Sequence, residues 1–249
     1  ENRGMAIAEN LDPKRINKKP FGKLESRDSQ EHPESNSVFI GFDVTGSNSA
    51  RAVEAQKRLP KLMKLLEKYL SDPQVLVAAN DDYKVEPERC VQISDYESDI
   101  RIDSHIRSII LVDNGGGNSG ESYDLLLYAA ARKTVLDSVE KRNKKGYLFL
   151  YADEPFMEKV SKKEANAVFG DALEEDIPIK QIVKEARELY NVYIIWPRGG
   201  YLDAREQYIK LFGKEFVLDL QDPSMICELV GSVIGINEEK IMDVDSLEK

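Results

Sequence analysis

A chain of 249 residues, 41% hydrophobic and 32% charged, has the make-up of a soluble globular protein, long enough for one α/β domain with insertions or two small domains. A formal net charge of −10 argues against a nucleic-acid binder. Cys90 and Cys227 have neither CxxC nor metal-ligand spacing, and His32 and His105 are isolated, so a zinc site or a histidine-based catalytic pair has almost no material. Two unpaired thiols, the lack of an apolar run near the roughly 18 residues that span a bilayer and the lack of a signal-peptide pattern make the cytosol the expected location. The first residue is Glu1 rather than Met, which reads as a fragment, a processed product or a chain that starts further upstream.

Residues 1–36 are polar and short of apolar periodicity. Pro13 to Lys23 (PKRINKKPFGK) holds five basic residues and no acidic one. The stretch reads as an extended arm and linker, solvated and lying on an acidic domain. Val38 to Phe42 is a short apolar run, the signature of a buried strand. It leads into Asp43, Thr45 and Ser47, three oxygen side chains at alternating positions, with Gly46 permitting a sharp turn. Ala50 to Leu70 carries an amphipathic helical stripe that Pro60 kinks or divides. Gln74 to Ala79 is a second strand and Cys90 to Ser94 a third. The link between them, with Asp81 and Asp82, is too short for a crossover helix, so the third strand is expected antiparallel at the sheet edge. Ser98 to Val112 reads as helix or strand.

Asn114 to Ser122 (NGGGNSGES) is glycine-rich and leads into a helix expected from Ser122 to about Arg142. Tyr147 to Tyr151 is a fourth strand, ending in Ala152-Asp153-Glu154-Pro155. Phe156 to Pro178 reads as an insertion with a helix near Lys162 to Phe169 and an acidic DALEED segment, either a solvated loop or a partner-facing surface. A helix from Ile179, a strand at Val192 to Trp196, a helix at Asp203 to Phe212, a strand at Glu215 to Leu218 and a helix at Pro223 to Ile236 complete the pattern, before an acidic tail at 237–249. Strands alternating with helices imply a doubly wound, mostly parallel sheet with helices on both faces. In the common order 3-2-1-4-5-6, the first and fourth strands are neighbours at the point where the order reverses. Asp43 and Asp153 then arrive side by side, with the glycine-rich loop facing the same crevice.

Asp43-Val44-Thr45-Gly46-Ser47 resembles the D-x-[ST]-x-S signature that opens the metal-ion-dependent adhesion site (MIDAS) of von Willebrand factor type A (vWA) domains. The resemblance extends over residues 37–236 and leaves the arm, the tail and the insertion at 156–178 outside it. It implies a Rossmann-like fold and a bound Mg²⁺ or Mn²⁺ held by Asp43, Thr45 and Ser47, with Asp153 acting through water. The second loop departs from the family's usual G-G-T: Asn118 or Ser119, or a water, stands where the threonine would be. The GGGN…ES pattern is similar to intracellular prokaryotic or phage members. Hydroxyls and carboxylates are hard donors that suit such a cation. Neutral hydroxyls leave the ion electrophilic, so its open position is expected to take a partner's carboxylate. The resemblance therefore implies a protein-binding module rather than an enzyme, with an AAA+ ATPase as a partner by family analogy.

Other chemistries fit less well. The segment after the first strand lacks G-x-G-x-x-G, no P-loop is present, and G-x-S-x-G is missing. A metal-dependent phosphotransferase or hydrolase using Asp43 is the nearest rival, although Thr45 stands where that family usually has Asp. A metal-free vWA scaffold, with the pentad as a turn capping the next helix, is the third reading. Glu121 and Glu154 are expected as a helix cap and solvated surface, although Glu154 is also placed to block the open metal position.

Overall fold

The computed structural model describes residues 6–45, 53–54, 57–58, 61–99, 101–111 and 121–241. Two strands lead the architecture: β1 (Leu24–Ser26) and β2 (Asn36–Asp43). All eight residues of β2 are buried, as a strand covered on both faces requires. It pairs in parallel with β3 (Pro73–Asn80) on one side and β6 (Gly146–Tyr151) on the other. β3 continues to β4 (Val91–Ile93), which is antiparallel, and β6 continues through β9 (Tyr190–Pro197) to β10 (Val217–Leu220). The sheet order is β10-β9-β6-β2-β3-β4. This is the doubly wound order expected from the sequence, with its reversal between β2 and β6 and an antiparallel edge.

The helices divide between the two faces. On one face α3 (Tyr123–Arg132), α5 (Lys162–Phe169), α6 (Ile179–Leu189) and α7 (Leu202–Phe212) cover Phe39, Leu76, Leu148 and Ile194. On the other α1 (Leu62–Leu66), α2 (Arg101–Ser108) and α8 (Ile226–Asn237) cover Ile40, Phe42, Val77 and Phe149. The alternation of Phe39 with Ile40 along β2 is the strand's period of two dividing its side chains between the two cores. Burying a side chain such as Phe39, fully withdrawn from water, contributes about 1.5–3 kcal/mol. Gly41 lets α3 sit close on β2, since a Cβ there would lie 2.6 Å from Leu150 and 2.8 Å from Leu126.

Several expectations change. The helix expected from Ser122 to Arg142 stops at Arg132 and gives way to β5 (Thr134–Leu136) and then α4 (Asp137–Arg142). β5 exists because β1 pairs with it in parallel, a tertiary partner that outweighs helical periodicity. The supposed solvated arm is packed. Leu11, Ile16 and Leu24 are fully buried, and Arg15 bonds Asp95 at 3.1 Å and the carbonyl of Ile93 at 2.8 Å. The stretch from Phe156 to Pro178 is likewise more than a loop. Phe156, Val160 and Phe169 enter the core, and β7 (Lys159–Val160) pairs with β8 (Ile177–Pro178). In its acidic segment, Asp171 takes bonds from Tyr128 and Lys133, and Asp176 accepts the N–H of Lys162 at 2.9 Å. Ser98 to Val112, open on sequence, contains the helix α2. The turn at Gly46, the kink at Pro60 and residues 242–249 of the tail lie outside the described residues.

Candidate metal site

The crevice outside the carboxyl ends of β2, β3 and β6 collects acidic side chains. β2 ends on Asp43, which is fully buried, and the ladder runs one residue further as Val44 N–H donates to the carbonyl of Asn80 at 3.0 Å. Thr45 N–H returns to Asp43 Oδ1 at 2.7 Å, an Asx turn that fixes the carboxylate against its own backbone. Its other oxygen, Oδ2, accepts the hydroxyl of Tyr123 at 2.5 Å.

Tyr123 is the hub of the site. It opens α3 and is 1% exposed. Its ring rests edge-on against Phe156 with centroids 5.3 Å apart, and Phe156 packs in turn on Tyr208 at 5.6 Å. This apolar seat aims the hydroxyl between two strand ends. Besides Asp43 it lies 3.4 Å from Asp153 Oδ1, and the N–H groups of Asp153 and Glu154 approach it at 3.4 Å each. Burial, reinforced by the charge of Asp43, pushes the phenol well above its ordinary value, so Tyr123 stays a neutral donor.

Asp153 and Glu154 follow β6 by one further ladder bond, Ala152 N–H to Ile195 O at 3.1 Å. The carbonyl of Asp153 accepts Tyr201 N–H at 3.0 Å. Gly200 fits against it because a side chain would meet Trp196 at 2.7 Å and Asp153 Cβ at 3.1 Å. Just beyond, Tyr201 and Leu202 stand exposed at 55% and 72%, an apolar rim beside the acids.

The crevice holds more acid than the sequence reading assigned to it. Glu121 and Glu154, expected as a cap and as solvated surface, are 4% and 9% exposed. Glu121 N–H donates to Pro155 O at 3.3 Å, and the residue forms an isolated parallel bridge with Phe156. Asp81 and Asp82, at the end of β3, are buried as well. Burial first, then the charges of Asp43, Glu154, Asp82 and Asp81, push Glu121 up to about 9. Burial also raises Asp81 to about 6, helped by the charge of Asp43 and opposed by the N–H of Asp82 and the charge of Arg89. One carboxyl oxygen of each, Glu121 Oε2 and Asp81 Oδ2, has no hydrogen-bond partner among the described residues, nor has either side-chain atom of Asn80.

Of the residues singled out from sequence, the structure brings Asp43, Thr45 and Asp153 together, and Thr45 is 1% exposed. Ser47, Asn118 and Ser119 lie outside the described residues. Among the described residues no three Asp, Glu, His or Cys side chains form an ion-holding group by themselves, so an ion at Asp43 would have to draw on hydroxyl donors as well. Orphaned acidic oxygens and all-oxygen donors fit a hard divalent cation. Sequence reasoning missed Tyr123, which carried no signal beyond an apolar first turn. It also passed over Asp81, although that residue ends a parallel strand as Asp43 does.

No protein-family model matches the sequence, and no curated protein matches it either. Solved structures do resemble the fold. The vWF domain of the type V pilus tip protein Mfa5 from Porphyromonas gingivalis superposes with a TM-score of 0.54 at 11% identity, over 85% of this chain and 98% of that one. Proximal thread matrix protein 1 from the mussel byssus, in a form with a zinc-occupied MIDAS motif, gives 0.54 at 13% identity over 82% of this chain and 46% of that one. The pilus adhesin SpaC from Lactobacillus rhamnosus GG gives 0.53 at 8% identity over 86% of this chain. The chain spans 30% of that adhesin's length and under half of the mussel protein's. At these identities the likeness is one of fold: the chain has the architecture of a von Willebrand factor type A domain.

Proposed function

We propose that the chain is a metal-dependent protein-binding module. In this reading Asp43, Thr45 and Ser47 hold Mg²⁺ or Mn²⁺, with Asn118 or Ser119 from the second loop and Asp153 through water, and a partner protein's Asp or Glu completes the shell. The observation that carries it is the pair of buried acids Asp43, which ends β2, and Asp153, just beyond β6, drawn onto one hydroxyl of Tyr123. Fixing two carboxylates so close together, with Glu121 and Asp81 also withdrawn from water, is costly unless a cation is to arrive.

The bound ion would supply an electrophilic attachment point for an outside carboxylate. This chain's residues do the rest. The Asx turn of Asp43 presets one ligand, Tyr123 holds the two strand ends in place, and the exposed Tyr201 and Leu202 beside Asp153 offer apolar contact to whatever approaches. Binding is favoured over catalysis because Thr45 stands where a phosphotransferase of the Asp43 type usually has Asp. An AAA+ ATPase is the partner class that the family resemblance implies, and the cytosol the matching location; two buried free thiols, Cys90 and Cys227, accord with a reducing compartment.

Titration calorimetry of the full chain with Mg²⁺, Mn²⁺ and Zn²⁺ tests the proposal. The wild type is expected to bind at least one of them at a single site, and Asp43→Ala to weaken that binding by 100-fold or more, roughly 2.7 kcal/mol, with an unchanged circular dichroism spectrum. Equal affinity in the two proteins overturns it.

A further inference from the structure

Among the described residues, Glu121 is a buried carboxylate without an ion-pair partner. Its side chain is 4% exposed, and Oε2 has no partner among the described residues. The charged groups that act on it most strongly are Asp43, Glu154, Asp82 and Asp81, all acidic. Its backbone is fixed: the bond to Pro155 O and the bridge to Phe156 tie it to the loop that leaves β6. Two residues later the same segment sets Tyr123 across Asp43 and Asp153. Glu121 therefore stands beside the crevice, where Asp43, the acid that ends β2, is the charge that acts on it most strongly.

A carboxylate so placed needs a proton or a cation to offset its desolvation. A proton would satisfy Glu121 alone. A cation also offers a partner to an oxygen beside it, because Asn80 Oδ1 is left unpartnered among the described residues and Asn80 stands in register with Asp43 across β2 and β3. We infer that Glu121 is itself a ligand of the divalent cation that Asp43 and Thr45 bind, the second loop contributing a carboxylate where only neutral donors were expected. The inference rests on the proposed metal-binding function and assigns one more residue to that site. A carboxylate in this position neutralises a further unit of the ion's charge, which tightens the ion while leaving it less electrophilic toward a partner.

Two variants test this on the full chain, with Mg²⁺ and Mn²⁺ as the probes. Glu121→Gln keeps size and an oxygen but removes the charge; Glu121→Asp keeps the charge and shortens its reach. Both are expected to weaken cation affinity by tenfold or more in calorimetry. Two outcomes overturn the inference while leaving the proposed function standing: unchanged affinity in both variants, or a loss in Gln with none in Asp, which marks a distant charge rather than a ligand. A wild type that binds neither cation removes both readings together.

Discussion

Where the N-terminal segment meets α4, Asp28 and Asp137 are drawn out of water, with side chains 14% and 4% exposed, and each is ringed by cations. Arg142 reaches Asp28 at 2.7 and 3.1 Å, Arg27 reaches Asp137 at 2.7 Å, and Lys141 touches both, at 3.2 and 2.7 Å. Hydrogen bonds from Arg142 hold Asp28 well below the usual carboxylate range. Burial pulls Asp137 upward, but Lys141 and Arg27 outweigh it and keep that residue low too. At the carboxyl ends of the strands Asp81 and Glu121 lie deeper than Asp28, at 2% and 4% exposed, and the result is the opposite. No Lys or Arg among the described residues pairs with Glu121 or Asp81, and both are displaced upward; Arg89, near Asp81, is committed to Glu86 at 3.0 Å. An acid that fastens the fold brings its cation in the chain. An acid set aside for an arriving cation does not, and the contrast between the two regions is the physical basis for reading the crevice as a binding site.

The contrast breaks most visibly if a cation is removed from the fastened region. Arg142→Ala strips Asp28 of its bidentate partner and the carbonyl of Ser35 of a donor. Losing one partner of a buried pair costs about 3–5 kcal/mol, and this pair is partly exposed, so the expected loss is about 2 kcal/mol. Urea midpoints at neutral pH measure it, and the loss should be the same in EDTA and in Mg²⁺. A loss below about 0.5 kcal/mol would mean that these acids do not depend on their own cations, and the contrast with the crevice would collapse.

How much of this was visible in the residues themselves follows from which forces act locally. The order of the sheet was legible because β2, β3, β6 and β9 are nearly continuous apolar runs, each bounded by turn residues. Asp43, Thr45 and Asp153 were legible for the related reason that they stand where such runs stop. Tyr123 was not: its ring continues the apolar stripe of α3, and only the packing of Phe156 turns its hydroxyl toward the acids. Glu121 sits where a capping residue would, so its burial emerges only when the loop after β6 closes over it. The break after Arg132 was hidden because Thr134, Val135 and Leu136 are apolar or β-branched in either structure, and the deciding partner, β1, lies 110 residues earlier in register. The buried residues Leu11, Ile16 and Leu24 are too sparse along the chain to build a periodic stripe, so no periodic template finds them.

pH separates the two regions by sign. Glu121, raised to about 9 in the folded chain, holds a proton that the unfolded chain releases near 4.3. The native state thus binds more protons over that interval, and its contribution to stability is lost as pH rises toward 9. Asp81, raised to about 6, adds a shorter loss between about 4 and 6. Asp28 and Asp137 are depressed, so their contribution is present above about 3.9 and disappears as pH falls. In EDTA, unfolding free energy is expected to fall between pH 6 and 8 by up to about 1.4 kcal/mol per pH unit for one proton. Saturating Mg²⁺ should flatten that slope. A slope already flat in EDTA would show that the crevice acids are neutralised from within the chain.

The smallest effect sharpens the comparison from inside the fastened region. Lys141 bonds both Asp28 and Asp137, yet its side chain is 54% exposed, and water screens what it offers. Arg142 and Arg27 keep their bonds to the two acids when Lys141 is truncated, so neither carboxylate is left without a cation. Lys141→Ala is therefore expected to shift the urea midpoint only slightly, by much less than Arg142→Ala, and raised salt should erase most of the shift. Set beside Arg142→Ala, this decides whether the two acids are held by particular buried bonds or by the summed positive charge around them. Bonds predict a large loss for Arg142 and a small, salt-sensitive one for Lys141. Summed charge predicts comparable, salt-sensitive losses for both. Under that second result the feature lacking in the crevice is a general positive field, and any nearby cation, protein-borne or not, would settle its acids without a defined coordination shell.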